Sequence, residues 1–165
     1  MTAPILVIVE GEPQGKGRPR TVVRGKFAQH YTPEKTRNYE QQIADEGRRA
    51  MAKHPPLECA CAMELNIVMA VPASWSKAKR EAALAGEIYP AKKPDTDNVV
   101  KAVCDGLNGV VFVDDVQVVE LIARKRYGPT PHIEARIYSL GSDHGRGWMV
   151  KALLQMARAF GWRGE

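Results

Sequence analysis

Residues 93–109 read Lys93-Pro94-Asp95-Thr96-Asp97-Asn98-Val99-Val100-Lys101-Ala102-Val103-Cys104-Asp105-Gly106-Leu107-Asn108-Gly109, and an apolar, strand-like run over 110–113 leads on to Asp114-Asp115-Val116-Gln117. The spacing predicts a helix over 95–107, with aspartates in its first turn and Asn108-Gly109 as its stop. Working outward, residues 117–127 and 132–138 read as strands. Gly128-Pro129-Thr130-Pro131 between them predicts an antiparallel pair joined by a turn. On the other side, residues 61–71 alternate, with Met63, Leu65, Ile67 and Met69 on one face, and residues 74–85 read as a helix capped by Ser74 or Ser76.

Nearer the N-terminus, the β-branched run over 5–9 predicts a buried strand, followed by a Gly- and Pro-rich loop over 11–20 and a small hairpin over 22–28. Thr32 as cap and Pro33 at the first helical position open a helix that carries Tyr39, Ile43, Gly47 and Ala50 in phase and stops at His54-Pro55-Pro56. Strands and helices are interspersed. An α/β (α+β) single domain with a mixed sheet flanked by helices is therefore expected over 1–140. Residues 141–165 read as a linker and a C-terminal amphipathic helix, with Trp148, Ala152, Leu153, Met156 and Phe160 in phase.

The chain has 165 residues and a formal net charge of +5. That is about one domain, large enough to bury roughly 70% of its unfolded surface without disulfides. Cys59, Cys61 and Cys104 are odd in number and form no paired CxxC, which suits a reducing compartment and a cytoplasmic protein. The apolar run near the N-terminus has no basic residue before it and ends at Glu10, so neither a signal peptide nor a membrane span is expected. The four histidines are too scattered to suggest a metal pair.

Against this basic background the acidic window stands out. A lone Asp at a helix start is usually a cap. Asp97, Lys101 and Asp105, however, share one helix face, and Asp114-Asp115 return after the apolar run. That face could be a ladder of exposed ion pairs, but a ladder leaves the adjacent Asp114-Asp115 pair unexplained. Gathered carboxylates repel one another unless a cation offsets them, and oxygen ligands on two separate elements suit Mg²⁺. Lys101, one turn beyond Asp97, would lie beside a bound phosphate, either to stabilise developing charge or to help protonate a leaving oxygen.

The pattern Lys93-Pro94-Asp95-x-Asp97-Asn98-x-x-Lys101-x-x-x-Asp105-x-Leu107-Asn108-Gly109, with Asp114-Asp115-x-Gln117-Val118, resembles the RusA-type Holliday junction resolvases of bacteria and their phages. Gly11-x-Pro13-x-Gly15-Lys16-Gly17-Arg18-Pro19-Arg20 resembles the phage branch of that family, and the likeness spans residues 5–138. It implies that Asp95, Asp97 and Asp115 are metal-binding carboxylates, Asp114 a supporting acidic ligand and Lys101 the catalytic lysine. It also implies Mg²⁺, with Mn²⁺ as substitute, a homodimer, and four-way junction DNA cut by paired nicks.

The glycine-rich basic loop is not a Walker loop, since it lacks the GK[ST] ending, so no nucleotide cofactor is expected. Lys16, Arg18 and Arg20 are candidate phosphate contacts, as are Lys92 and Lys93, with Lys77, Lys79 and Arg80 nearby. Such contacts give affinity and salt dependence without reading bases, as a structure-selective enzyme requires. The rivals are a related metal nuclease acting on forks or flaps, and a catalytically silent junction-binding protein.

Overall fold

The computed structural model describes residues 3–17, 20–24, 27–31 and 33–141. In chain order these form β1 (Ile5–Glu10), β2 (Arg20–Arg24), β3 (Phe27–Tyr31), α1 (Glu34–Met51), β4 (Cys61–Ala70), α2 (Lys77–Leu84), α3 (Thr96–Leu107), a 3₁₀ turn at Asp115–Gln117, β5 (Val118–Gly128) and β6 (His132–Ser139). The main sheet runs β1-β6-β4-β5, with β4 and β5 parallel and the other neighbours antiparallel, while β2 and β3 pair as a separate hairpin. This is the expected α+β architecture, a mixed sheet with three helices. The expected C-terminal helix, with Trp148 and Phe160, lies outside the described residues, as do Thr32 and Arg18.

β4 organises the sheet. Nine of its ten residues are buried, so both of its faces are covered rather than the single face that the alternation suggests. A strand so apolar also needs neighbours along both edges. That requirement overturns the expected β5–β6 hairpin: β4 lies between them, Ala70 opposite Gly128 on one side and Val68 opposite His132 on the other. The Gly128-to-Pro131 connection contains two prolines without N–H groups and crosses the end of β4 instead of forming a tight turn. Gly128 is needed there, because a Cβ would stand 2.4 Å from Val68 Cγ1.

One sheet face carries Val7 and Val9 of β1, Ile133, Ala135 and Ile137 of β6, and Met63, Leu65 and Ile67 of β4. These pack with Tyr39, Ile43 and Met51 of α1 and with Val99, Val103 and Leu107 of α3. The other face of β4 carries Glu64, 5% exposed, paired with Arg124 of β5 at 3.1 Å and Arg136 of β6 at 3.9 Å. A buried carboxylate is tolerable there because cations flank it on both neighbouring strands.

Three local readings change. Pro33 is the cap of α1 and not its first residue: its backbone is extended, and its carbonyl accepts from the N–H groups of Thr36 and Arg37. Residues 110–113 form no strand, because the chain folds back on itself. Gly109 N–H donates to Phe112 O, and Leu57 N–H donates to Val111 O, which seats Val111 and Phe112 fully in the core. α2 is shorter than expected, and of the two serines proposed as its cap it is Ser76 whose Oγ accepts from Lys79 N–H.

α1 and α3 cross at Gly106. A Cβ there would lie 2.7 Å from Ile43 Cβ and Cγ2 and 2.9 Å from Glu40 O, so only glycine permits the approach. The consequence is positional: Glu40 of α1 is brought beside Asp105 of α3.

Candidate active site

α3 begins where its sequence says it should. Asp95 is the N-cap residue, its carbonyl accepting from Val99 N–H, yet its carboxylate makes no capping bond to the helix and accepts instead from Asn98 Nδ2 at 3.4 Å. Asp97 lies in the first turn, exposed, with Lys101 Nζ 3.6 Å from its Oδ2. Both partners of that pair are more than 60% exposed, so the pair itself adds little to stability. The loop before α3 is fixed from β5, as Lys125 Nζ donates to Lys92 O at 2.7 Å and to Pro94 O at 3.0 Å. Lys125 thus holds the backbone that leads into Asp95.

The second acidic element is fixed as firmly. Asp114 caps the 3₁₀ turn: its Oδ1 accepts from Val116 N–H at 3.1 Å, and its own N–H donates to Gln117 Oε1 at 2.8 Å. Gln117 Nε2 donates to Leu57 O and Cys59 O, each at 2.8 Å, and so ties the turn to the chain entering β4. Asp115, the first residue of that turn, is exposed and unburdened by the cap. The turn packs against α3, and the field of Asp115 reaches Cys104 and Lys16.

Beside Asp105, farther along α3, sits a cation. Lys16 Nζ donates to Asp105 Oδ2 and lies 3.8 Å from Glu40 Oε1. The hydrogen bond to Asp105 raises the Lys16 ammonium above its ordinary range, burial opposes that, and the charges of Asp105, Glu40 and Asp115 add to the rise. Burial raises the Glu40 carboxyl, with Lys16 opposing and Asp105 reinforcing. Cys104 is pushed up to about 11, chiefly by burial and then by Asp115 and Asp105, so its thiol is a packing group. Cys61, in the core, is likewise pushed up to about 11 by burial.

Comparison with known proteins bears directly on this arrangement. The family described as Endodeoxyribonuclease RusA matches residues 10–138, a span that contains every carboxylate named above and Lys101. The chain belongs to the RusA endodeoxyribonuclease family. It is therefore a nuclease of the type that resolves Holliday junctions. A relative, "Uncharacterized protein YqaN" of Bacillus subtilis (strain 168), is 35% identical over 134 residues, covering 78% of this chain and 92% of that protein.

In this RusA chain the expected acidic residues fall into two groups. Asp95 and Asp97 stand at the start of α3, and Asp114 and Asp115 stand on the turn that packs against the same helix. Asp114 has a clear local task as a cap. The donors are all carboxylate oxygens, the chemistry a hard cation takes. Among the described residues no three His, Cys, Asp or Glu side chains already stand close enough to hold an ion by themselves. Donors of this kind suit Mg²⁺, which usually keeps several waters and completes its shell with substrate phosphate.

Of the expected DNA contacts, Lys92 and Lys93 are exposed just ahead of α3, and Lys92 Nζ lies 5.8 Å from the Tyr127 ring centroid. Arg20 begins β2, opposite Tyr31, and Arg18 lies outside the described residues. Glu40 and Lys125 carry no signal in the sequence, and Gln117 stands in the motif without any sign that it anchors the turn. Glu40 and Lys125 read as ordinary polar positions of a helix and a strand, and only the tertiary arrangement gives them a place at the site. Among the described residues no helix is long and apolar enough to cross a membrane.

Proposed function

We propose that this RusA protein is a Mg²⁺-dependent homodimeric endonuclease that resolves four-way DNA junctions by paired phosphodiester cleavage in recombination and repair, with Mn²⁺ able to substitute. The observation that supports the reading is that Asp95 and Asp97 at the start of α3, and Asp115 on a capped turn that packs against the same helix, are all exposed. A cytoplasmic site of action agrees with three free cysteines.

Asp95, Asp97 and Asp115 would hold the metal, with Asp114 keeping Asp115 in place through the capped turn. Bound there, Mg²⁺ supplies a Lewis acid at the scissile phosphate and lowers the pKa of a coordinated water. The remaining work belongs to the chain. Lys125 holds the backbone ahead of Asp95, so the first carboxylate meets the phosphate from a fixed position. Lys101, exposed one turn beyond Asp97, would face the same phosphate and offset its developing charge. Lys92, Lys93, Arg18 and Arg20 would track the backbone of the arms, giving affinity without base reading.

A junction needs two cuts at related positions, and each chain offers one acidic constellation, so two subunits related by a two-fold axis match the substrate. The sheet's outer strands offer candidate interfaces, since β1 exposes Leu6 and Ile8 and β5 exposes Val119 and Leu121. Labelled four-way junction, fork and linear duplex incubated with and without Mg²⁺, with the nicks mapped, test the whole reading. Symmetric Mg²⁺-dependent nicks at the branch of the four-way junction support it. Equal cutting of all three substrates counts against it.

A further inference from the structure

The glycine-rich loop has a second task besides any contact with DNA. Its backbone is clamped onto the site: Lys16 N–H donates to Asn98 O at 2.9 Å, and Gly17 N–H donates to Thr36 Oγ1 at 3.1 Å. The neighbouring glycines leave room for that clamp. A Cβ at Gly15 would stand 3.0 Å from Asn98 Cβ and 3.3 Å from Pro94 Cβ, and one at Gly17 would stand 2.7 Å from Thr36 Oγ1. The loop therefore lies across the N-terminal part of α3 and the start of α1, and its lysine is aimed inward.

The Lys16 ammonium bridges two helices. It is hydrogen-bonded to Asp105 of α3 and paired with Glu40 of α1, at the crossing that Gly106 allows. Without it, Asp105 and a Glu40 whose Oε1 is buried with no hydrogen-bond partner would face each other as uncompensated like charges. Asp115 is close enough to act on the same ammonium. A lysine committed in this way is a poor phosphate anchor but an effective fixed charge.

We infer that Lys16 is a positioning residue of the nuclease site, the resident counter-ion of Asp105 and Glu40, and that it thereby limits how tightly the adjoining Asp95, Asp97 and Asp115 carboxylates take a divalent cation. This rests on the metal-dependent reading above. Lys16 holds the loop to both helices, cancels the two carboxylates that are not metal ligands, and leaves the ligand carboxylates to set the charge seen by the ion. The chain thus carries, on its most basic loop, a cation that tunes its own acidic site.

The test is Mn²⁺ binding to the DNA-free protein, followed by the spectroscopic signal of the free ion and by calorimetry, for wild type, Lys16→Met, Lys16→Arg, Asp105→Asn and the Lys16→Met/Asp105→Asn double variant. One unit charge acting on a divalent ion across several ångströms of water-like dielectric changes its affinity by about fivefold. Lys16→Met should therefore bind Mn²⁺ about 3- to 10-fold more tightly than wild type. Lys16→Arg should stay near wild type, Asp105→Asn should bind more weakly, and the double variant should return towards wild type, as a directly coupled pair requires. Circular dichroism on each variant separates loss of fold from change of affinity. Equal Mn²⁺ affinity in wild type and folded Lys16→Met, together with weaker junction binding and a shallower salt dependence, would make Lys16 a phosphate contact and overturn the inference alone. Failure of the wild type to bind Mn²⁺ either alone or together with junction DNA would overturn the metal-dependent reading and the inference with it.

Discussion

Replacing Gly106 by alanine sets two effects of opposite sign against each other. In a helix interior alanine is favoured over glycine by about 1 kcal/mol, so on local grounds the variant should be more stable. Gly106, however, is buried where α3 crosses α1, and the new methyl would meet Ile43 Cβ and Cγ2 at 2.7 Å and Glu40 O at 2.9 Å. The Cβ and the carbonyl belong to the frame of α1, and no rotamer change moves them away. Relief requires the helices to separate, and such overpacking costs about 1–3 kcal/mol, or more where backbone must shift. The net expectation is a loss of up to about 2 kcal/mol, a fall in Tm of up to about 8 °C for a chain of this size. Thermal melts by circular dichroism measure it directly. Separation of the helices should also pull Glu40 from Asp105 and slow junction cleavage by more than the stability loss alone accounts for. Gly109→Ala is the control: its φ of 68° makes alanine strained, but nothing lies within 4 Å, so stability should fall while cleavage by the folded fraction does not. A Gly106→Ala protein that melts at or above the wild-type temperature would refute the close-crossing argument.

Asp95→Asn, Asp97→Asn and Asp115→Asn should each abolish cleavage while leaving junction binding intact or tighter, because each removes a metal ligand and a repulsive charge together; nicking and gel-shift assays on the same preparations check this. Lys101→Ala should keep its fold and lose about 10²- to 10⁴-fold in single-turnover rate, and a wild-type rate would make it only the ion-pair partner of Asp97. Gln117→Leu strips Leu57 O and Cys59 O of their shared donor and should cost about 1–3 kcal/mol in denaturant unfolding, with a drop in cleavage as Asp115 loses its anchor. Lys92→Ala/Lys93→Ala should weaken junction binding and reduce the slope of log K against log salt by about 2, read from gel shifts at several salt concentrations.

What could be read from the chain beforehand was what neighbours in sequence decide. α3 is legible because Asp95, Asn108 and Gly109 mark its ends locally, and Ser76 marks α2 in the same way. The β5–β6 pairing was not legible, since both strands and the turn-forming residues between them are present, and the partner choice was made by β4, a strand more than fifty residues upstream. The apolar residues 110–113 look like a strand for the same reason that Val111 and Phe112 are core, and only the bonds to Leu57 and Leu107 show that the chain turns there. At the site, the aspartates and Lys101 were visible as a pattern, whereas the destination of Lys16 was not. A lysine among glycines reads as a solvated phosphate contact, and its bond to Asp105 spans 89 positions in sequence. The glycines on either side were the available clue, since two of them flanking one basic residue fit a backbone pressed against other elements.

A supercoiled plasmid that extrudes a cruciform reports on whether a metal-dependent dimer cuts a branched junction twice. With Mg²⁺ and protein in excess, linear product should form from paired nicks at the cruciform base within one binding event, with no cutting when the metal is chelated. Singly nicked circles as the sole product at saturating protein, or cutting that continues without a divalent metal, would contradict it.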